Sequence, residues 1–319
     1  MGSDPRYKSV AVASHSFSKN PTLRRELLAR HPQVTFNETG LPLMRRDHLI
    51  ALLRGPERAI TGLEVLDDTV FAALPELRIV SKYGVGLDMI DLAAARRHGV
   101  SVRWTSGVNR QAVAELTIAF MIALCRSLVP LAHAVKTGGW THPGGRQLSS
   151  STVGIVGCGH VGQEVARLCR AFGATVLARD IRTYDDFYRA HGVAAVTLDA
   201  LLAQSDIVTV HVPLDASTRA LIGRRELALM KPTAHLINTA RGGIVDETAL
   251  TEALAAGRLA GAAFDVFNEE PPTNAELLSL PSFIGTPHIG GGTTEAVLAM
   301  GRAAIEGLDD PSREVSVVK

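Results

Sequence analysis

Short runs of β-branched and small apolar residues alternate along the whole chain with segments whose apolar positions recur every three or four residues. Residues 9–13, 58–61, 78–81 and 100–103 read as buried strands, and residues 22–30, 46–54 and 91–97 as the helices between them. Strands that alternate with helical patterns in this way predict parallel sheets with crossover helices.

The rhythm changes at Asn109, a plausible helix N-cap. Val113, Leu116, Phe120, Met121 and Leu124 then recur at helical spacing on a wide apolar stripe, which predicts a buried helix between two units. Residues 135–151, rich in Gly, Ser and Thr, read as a loop. A second α/β series follows, with strands expected at 152–156, 175–178, 207–210, 234–238, 259–264 and 283–285. Six strands is the number of a full dinucleotide-binding sheet. Gly257 fits a C-terminal cap for the helical run that begins near Asp246. In the last segment, Ala296, Val297, Met300, Ala304 and Ile305 share one face, as in a helix that returns to the first domain. The organisation expected is a first domain of residues 1–107 completed by 292–319, with a second domain, 108–291, inserted between.

Composition narrows the function. The chain has 319 residues, 46% hydrophobic and 20% charged, with a formal net charge of +1. A near-neutral chain argues against nucleic acid or an anionic membrane as main partner, since those call for a basic surplus. No apolar run reaches the roughly 18 residues of a membrane span, and the N-terminus shows no secretory pattern. Cys125, Cys158 and Cys169 are odd in number and suit no zinc site, so they read as reduced thiols of a cytoplasmic protein. No HExxH or carboxylate–histidine cluster suggests a metal, and no GxxxxGK[ST] suggests a nucleotide triphosphatase.

Residues 157–162, Gly-Cys-Gly-His-Val-Gly, match G-x-G-x-x-G directly after an apolar strand and before a helix marked by Val161, Val165, Leu168, Cys169 and Phe172. Gly157 permits the tight turn, Gly159 lets the backbone approach a pyrophosphate, and Gly162 lets helix and strand pack closely. With His160 and Val161 at the helix start, where unpaired N–H groups attract phosphates, they form the candidate cradle. Asp180 ends the next strand, 18 residues past Gly162. An acid there bonds the ribose hydroxyls and repels a 2′-phosphate, which favours NAD over NADP, although Arg179 and Arg182 flank it. The loop of His211, Val212 and Pro213 is placed on the adenosine side.

Arg241, Glu270 and His288 each follow the end of an expected strand, where open α/β sheets bind ligands. Taken singly, each is an ordinary surface or loop residue; their shared placement suggests chemistry. Hydride transfer between a 2-hydroxy acid and NAD needs a group that takes the hydroxyl proton, and imidazole suits that near neutral pH. A carboxylate beside it steadies the imidazolium. A guanidinium grips a carboxylate with two parallel hydrogen bonds. These three are the candidate catalytic residues.

The chain resembles the D-isomer-specific 2-hydroxyacid dehydrogenases, especially phosphoglycerate dehydrogenase and its relatives. The likeness runs from about Val10 to Val318 and is carried by residues 153–180, 238–247, 264–271 and 287–290. It implies an α/β fold of two doubly wound parallel-sheet domains, a Rossmann NAD-binding domain inserted into a discontinuous flavodoxin-like substrate domain. It implies that Arg241 binds the substrate carboxylate, that Glu270 pairs with His288, and that His288 is the acid/base. Asp265 matches the contact to the nicotinamide carboxamide, with Thr239, Ala240 and Gly290 also on the cofactor side. Residues 82–86 resemble the first-domain loop whose N–H groups hold the carboxylate, which gives Lys82, Gly84, Val85 and Gly86 as substrate-binding candidates. Two glycines near a strand end suit that role.

Departures refine the expectation. Phosphoglycerate-type members carry Arg where Lys82 stands and a second Arg near Thr61 and Gly62, where this chain has none. Lys82 and Arg110 therefore suggest a small 2-oxo or 2-hydroxy acid with a second anionic group, phosphate, phosphonate or carboxylate. With about 30 residues after His288, no C-terminal regulatory domain is expected. The resemblance also suggests a homodimer and a site in the cleft between the domains. Two other readings stay open: an NAD(H)-sensing corepressor-like binding protein of the same fold, and oxidation of formate or phosphite on this scaffold.

Overall fold

In a computed structural model that describes residues 9–41 and 44–315, the chain divides into two compact units, residues 1–109 with 294–319, and residues 110–293.

The first unit is built on a five-stranded parallel sheet: β1 (Ser9–Val12), β2 (Gln33–Phe36), β3 (Arg58–Thr61), β4 (Ile79–Lys82) and β5 (Ser101–Arg103). Their spatial order is β2-β1-β3-β4-β5, the flavodoxin-like arrangement. Alternate residues of β1 feed opposite faces. Ala11 and Ala13 join a core with Leu49, Leu53, Val70 and Phe71, while Val10 and Val12 join one with Phe17, Leu23 and Leu27. This two-sided burial is why the strands are continuous apolar runs. The helix at the C-terminal end, α14 (Thr294–Gly307), packs into the second of these cores through Met300, Ala304 and Ile305. Gly301 lets it approach α2 (Pro21–Arg30), since a Cβ there would overlap the Leu23 side chain. Ser81 Oγ donates to the Ala304 carbonyl at 2.6 Å. The chain itself thus comes back to complete this unit.

The second unit has seven parallel strands: β6 (Thr152–Val156), β7 (Thr175–Arg179), β8 (Val193–Ala195), β9 (Ile207–Val210), β10 (His235–Asn238), β11 (Gly261–Phe264) and β12 (Phe283–Gly285). Their order is β12-β11-β10-β9-β6-β7-β8, the doubly wound nucleotide-binding order with one strand added at the β12 edge. The expectation of six strands is corrected to seven. β8 escapes the sequence pattern because it is three residues long and exposes two of them at the sheet edge. β2 escapes for the same reason, with one buried residue in four. The helix α6 (Arg110–Cys125) buries Met121, Ile118, Leu124 and Phe120 in the core of this unit with Val153, Ile155 and Val165.

The loop expected over 135–151 is corrected at its start: α7 (Leu128–Lys136) runs through Val135 and Lys136. None of its residues is buried, so its apolar sequence reads as neither a core helix nor a solvated one. All three cysteines are free and buried. Among the described residues no group of His, Cys, Asp and Glu could hold a metal, and no single helix is long and apolar enough to cross a membrane.

Candidate active site

The site of the second unit is laid out along the carboxyl edge of its sheet. Because all seven strands are parallel, every loop that follows a strand emerges on that edge. From one side to the other it carries Asp180 after β7, the glycine turn after β6, His211 and Val212 after β9, Arg241 after β10, Asp265 and Glu270 after β11, and His288 after β12.

The glycine turn lies where the strand order reverses, between β6 and β9. Gly157 has φ of 94°, and a Cβ there would meet Val212 Cγ1 at 2.7 Å and the His211 carbonyl carbon at 2.8 Å. A Cβ on Gly162 would overlap the Gly157 carbonyl. Both positions therefore demand glycine for packing. Gly159 differs: its Cβ would meet nothing within 4 Å. It opens α8 (His160–Ala171), whose first residues His160 and Val161 are exposed and half-buried. A bare backbone at a helix N-terminus is the arrangement a pyrophosphate needs.

Asp180 braces this turn. Its Oδ2 accepts from the Cys158 N–H at 2.6 Å, and its Oδ1 from the Arg182 N–H at 2.9 Å. The carboxylate stays half-buried beside the turn, as a ribose-binding acid requires. Burial pushes the Cys158 thiol up to about 11, which removes it as a nucleophile at neutral pH. Burial likewise pushes the His211 imidazole down to about 3, so it is neutral, with its Nε2 2.9 Å from Thr209 Oγ1.

The loop after β10 is shaped by Asn238. Its side chain accepts from the Ala240 N–H at 3.1 Å and donates to the Arg241 carbonyl at 2.8 Å. Thr239 is buried, with its Oγ1 2.9 Å from Thr117 Oγ1 on α6. The half-buried Arg241 donates from Nη1 to the Ala240 carbonyl at 2.7 Å. Gly242 is required because a Cβ there would overlap the Phe267 carbonyl. That contact brings the Arg241 loop against the loop that carries Glu270.

Two carboxylates that pattern reading does not reveal as supports hold the rest. Glu247, at the start of α12 (Glu247–Ala255), accepts from the Asn268 N–H at 2.7 Å across 21 residues. Burial pushes its carboxyl above the usual range, and neighbouring Asp246 and Glu269 push it the same way. Asp265, 1% exposed, accepts from Thr286 Oγ1 at 2.5 Å, the Ile289 N–H at 2.8 Å and the Gly290 N–H at 2.7 Å. It therefore ties down the loop that presents His288. His288 itself adopts φ of 53°, a left-handed conformation that is uncommon outside glycine.

At the end of this edge, His288 Nδ1 lies 2.8 Å from Glu270 Oε2, and Glu270 Oε1 accepts from the Phe267 N–H at 3.1 Å. An ionised carboxylate only accepts, so Nδ1 carries the proton of this bond and Nε2 is left for other chemistry. Both side chains are about two-fifths exposed.

The remaining candidates divide. Gly84, Val85 and Gly86 are half-buried in the loop after β4, where Val85 accepts from Trp104 Nε1 at 2.8 Å. Arg110 is exposed on the first turn of α6. Lys82 is 4% exposed, and its ammonium donates to the Gly62 carbonyl and, at 3.2 Å, to the Tyr83 carbonyl. Lys82 is thus buried, with two backbone carbonyls among the partners of its ammonium. The buried Glu64, which was not singled out from sequence, lies in the same cluster.

The model for the NAD binding domain of the D-isomer specific 2-hydroxyacid dehydrogenases matches residues 118–290. A glyoxylate reductase of Thermofilum pendens is 38% identical over 272 residues, covering 82% of this chain and 80% of that one. A D-3-phosphoglycerate dehydrogenase of Methanocaldococcus jannaschii is 39% identical over 249 residues, covering 77% of this chain and 47% of that one. The chain spans about half the length of the phosphoglycerate dehydrogenases it matches. The crystal structure of a D-lactate dehydrogenase from Aquifex aeolicus, complexed with NAD and lactic acid, has a TM-score of 0.81 and 26% identity, with 93% of both chains covered. A glycine turn fitted to a dinucleotide, a paired histidine and glutamate on the same sheet edge, and a family match over more than half the sequence agree: this chain belongs to the D-isomer specific 2-hydroxyacid dehydrogenase family.

Proposed function

We propose that the protein interconverts a small D-2-hydroxy acid and its 2-oxo acid with NAD as redox partner. The observation that carries this reading is the His288–Glu270 pair at 2.8 Å on the carboxyl edge of the nucleotide-binding sheet. When bound, NAD accepts the hydride from the hydroxy acid, and NADH returns it to the oxo acid. His288 Nε2 takes the hydroxyl proton in oxidation and gives it back in reduction, while Glu270 fixes the ring and stabilises its charged form. Arg241 binds the acid's carboxylate, and residues 84–86 of the first unit supply N–H donors to the same kind of group. Asp180 favours NAD, because an acid at the end of this strand accepts from ribose hydroxyls and repels a 2′-phosphate.

The substrate proposed is small and carries one carboxylate. The Lys82 ammonium already donates to two carbonyl oxygens, which supports the single-carboxylate substrate; turnover of phosphonopyruvate in preference to monoanionic acids would replace it by a dianionic one. Relatives named glyoxylate reductase and hydroxypyruvate reductase fit that size.

A homodimer belongs to the same reading. The apolar α7 has no buried residue, with Leu128 55%, Val129 49% and Val135 55% exposed, and Trp140 beyond it 77% exposed. An apolar strip of this extent calls for a cover, and a second copy supplies an equally apolar one. Val135→Asp together with Trp140→Arg should shift the light-scattering mass from dimer to monomer; a monomeric parent removes the proposal. Three buried, free cysteines fit a reducing, cytoplasmic setting.

The function is tested by NADH consumption with glyoxylate, hydroxypyruvate, pyruvate and phosphonopyruvate, beside phosphite and formate with NAD. Turnover of a monoanionic 2-oxo acid is expected. Tight NADH binding without turnover of any of them would favour a binding protein, and turnover of phosphite or formate alone would replace the substrate class.

A further inference from the structure

The first unit buries two opposite charges at the carboxyl edge of its own sheet. Glu64 follows β3 and is 3% exposed; Lys82 ends β4 and is 4% exposed. Both act on one residue, Gly62. Its N–H donates to Glu64 Oε2 at 2.5 Å, and its carbonyl accepts from Lys82 Nζ. Burial pushes the Glu64 carboxyl up, and the Gly62 and Glu64 N–H groups and the Lys82 charge pull against it. Gly62 also lies against the end of β1, since a Cβ there would be 2.9 Å from Ser14 Oγ. The cluster thus sits where the strand order reverses, between β1 and β3, which is where open α/β sheets bind ligands.

Lys82 has a second acceptor, the Tyr83 carbonyl at 3.2 Å. A trans peptide is planar, so a carbonyl and the N–H that follows it point in opposite directions. With the Tyr83 carbonyl turned to the buried ammonium, the Gly84 N–H is turned away from it. Gly84 makes this possible: its φ is 116°, and a Cβ there would stand 3.3 Å from Lys82 Nζ. A cation on the carbonyl also polarises the peptide and strengthens its N–H as a donor.

We infer that Lys82, braced by Glu64 through Gly62, is a positioning residue that aims the Gly84 N–H at the carboxylate of the 2-oxo acid. The ammonium acts through the Tyr83–Gly84 peptide. This inference rests on the proposed function and adds to it the device that orients the carboxylate-binding loop.

Lys82→Met and the double variant Glu64→Gln/Lys82→Met test it. Removing one partner strands a buried charge, whereas the double variant removes both, so it carries the test if the single variant fails to fold. The readouts are KM and kcat for the best 2-oxo acid, the inhibition constant of oxalate as a carboxylate probe, and the Kd of NADH. Expected in both variants is a rise of about tenfold in KM and in the oxalate constant, equivalent to about 1.4 kcal/mol, with a smaller change in kcat and an unchanged NADH Kd. A double variant with the parent's KM and oxalate constant overturns the inference, because charge balance would then be all that Lys82 provides. If the parent turns over no 2-oxo acid, the proposed function falls and this inference falls with it; turnover by the parent with unaltered variants sinks this inference alone.

Discussion

Replacing Asp265 by asparagine keeps the shape of the side chain and removes its charge. Asp265 accepts three hydrogen bonds, from Thr286 Oγ1, Ile289 N and Gly290 N, all from the loop that presents His288. In Asp265→Asn one oxygen becomes an NH2 group, which cannot accept. If the amide oxygen keeps the Thr286 and Ile289 bonds, the buried Gly290 N–H faces a donor and is left unsatisfied, at a cost of about 1–3 kcal/mol. The two surviving bonds lose their charge assistance, about 1 kcal/mol each. The sum is about 4 kcal/mol of loop-holding energy, and flipping the amide only exchanges the orphan, leaving the Ile289 N–H facing a donor in place of Gly290. For a unit of this size that corresponds to a fall in Tm of roughly 8–16 °C. Thermal and urea unfolding measure it, beside kcat for NADH-dependent reduction, which should fall at least tenfold as the His288 loop loosens. A variant within 1 kcal/mol of the parent that keeps its kcat would refute the reasoning, since the three bonds would then not be holding the loop.

Two further expectations follow from the second unit. Gly159→Ala places its methyl in open space, so the fold should keep its Tm within a few degrees while NADH Kd rises at least tenfold by fluorescence titration; unchanged affinity would take the pyrophosphate off this turn. His211 is neutral in the fold, with its pKa depressed to about 3. The unfolded chain takes up that proton as pH falls below about 6.5, so stability should be lost between pH 6.5 and 3, by at most ~1.4 kcal/mol per pH unit from this one group. His211→Gln should show a shallower loss of Tm over the same range, and parallel curves would contradict the burial argument.

The parts of the fold legible in the sequence were those whose local pattern and tertiary role coincide. β6, the glycine turn, α8 and β7 are recognisable because strand, turn and helix each carry their own residue signature, and Asp180 falls at a strand end that hydrophobic alternation locates. Central strands buried on both faces, such as β9 with four buried residues, stand out as apolar runs. The edge strands β2 and β8 do not, because a short strand with one solvated face has little composition to distinguish it from loop. α7 misleads in the opposite sense, as its apolar side chains answer to no core of its own unit.

Within the site, Arg241, Glu270 and His288 were found as chemistry following strand ends, but the supports were not. Asp265 reaches the loop 21–25 residues ahead, and Glu247 reaches Asn268 21 residues ahead. No periodicity links positions so far apart, so only the tertiary fold reveals that these carboxylates act on backbone N–H groups. Lys82 shows the same limit. From sequence it is a cation near a glycine loop, and only its burial against two carbonyl oxygens shows which way it faces.

The account stands most directly on the imidazole of His288. His288→Ala, assayed against the parent with saturating NADH and the preferred 2-oxo acid, should lower kcat by roughly 10²–10⁴-fold while NADH still binds with the parent's affinity. A variant that retains kcat within threefold would show that the proton moves elsewhere and would contradict the assignment of the Glu270–His288 pair.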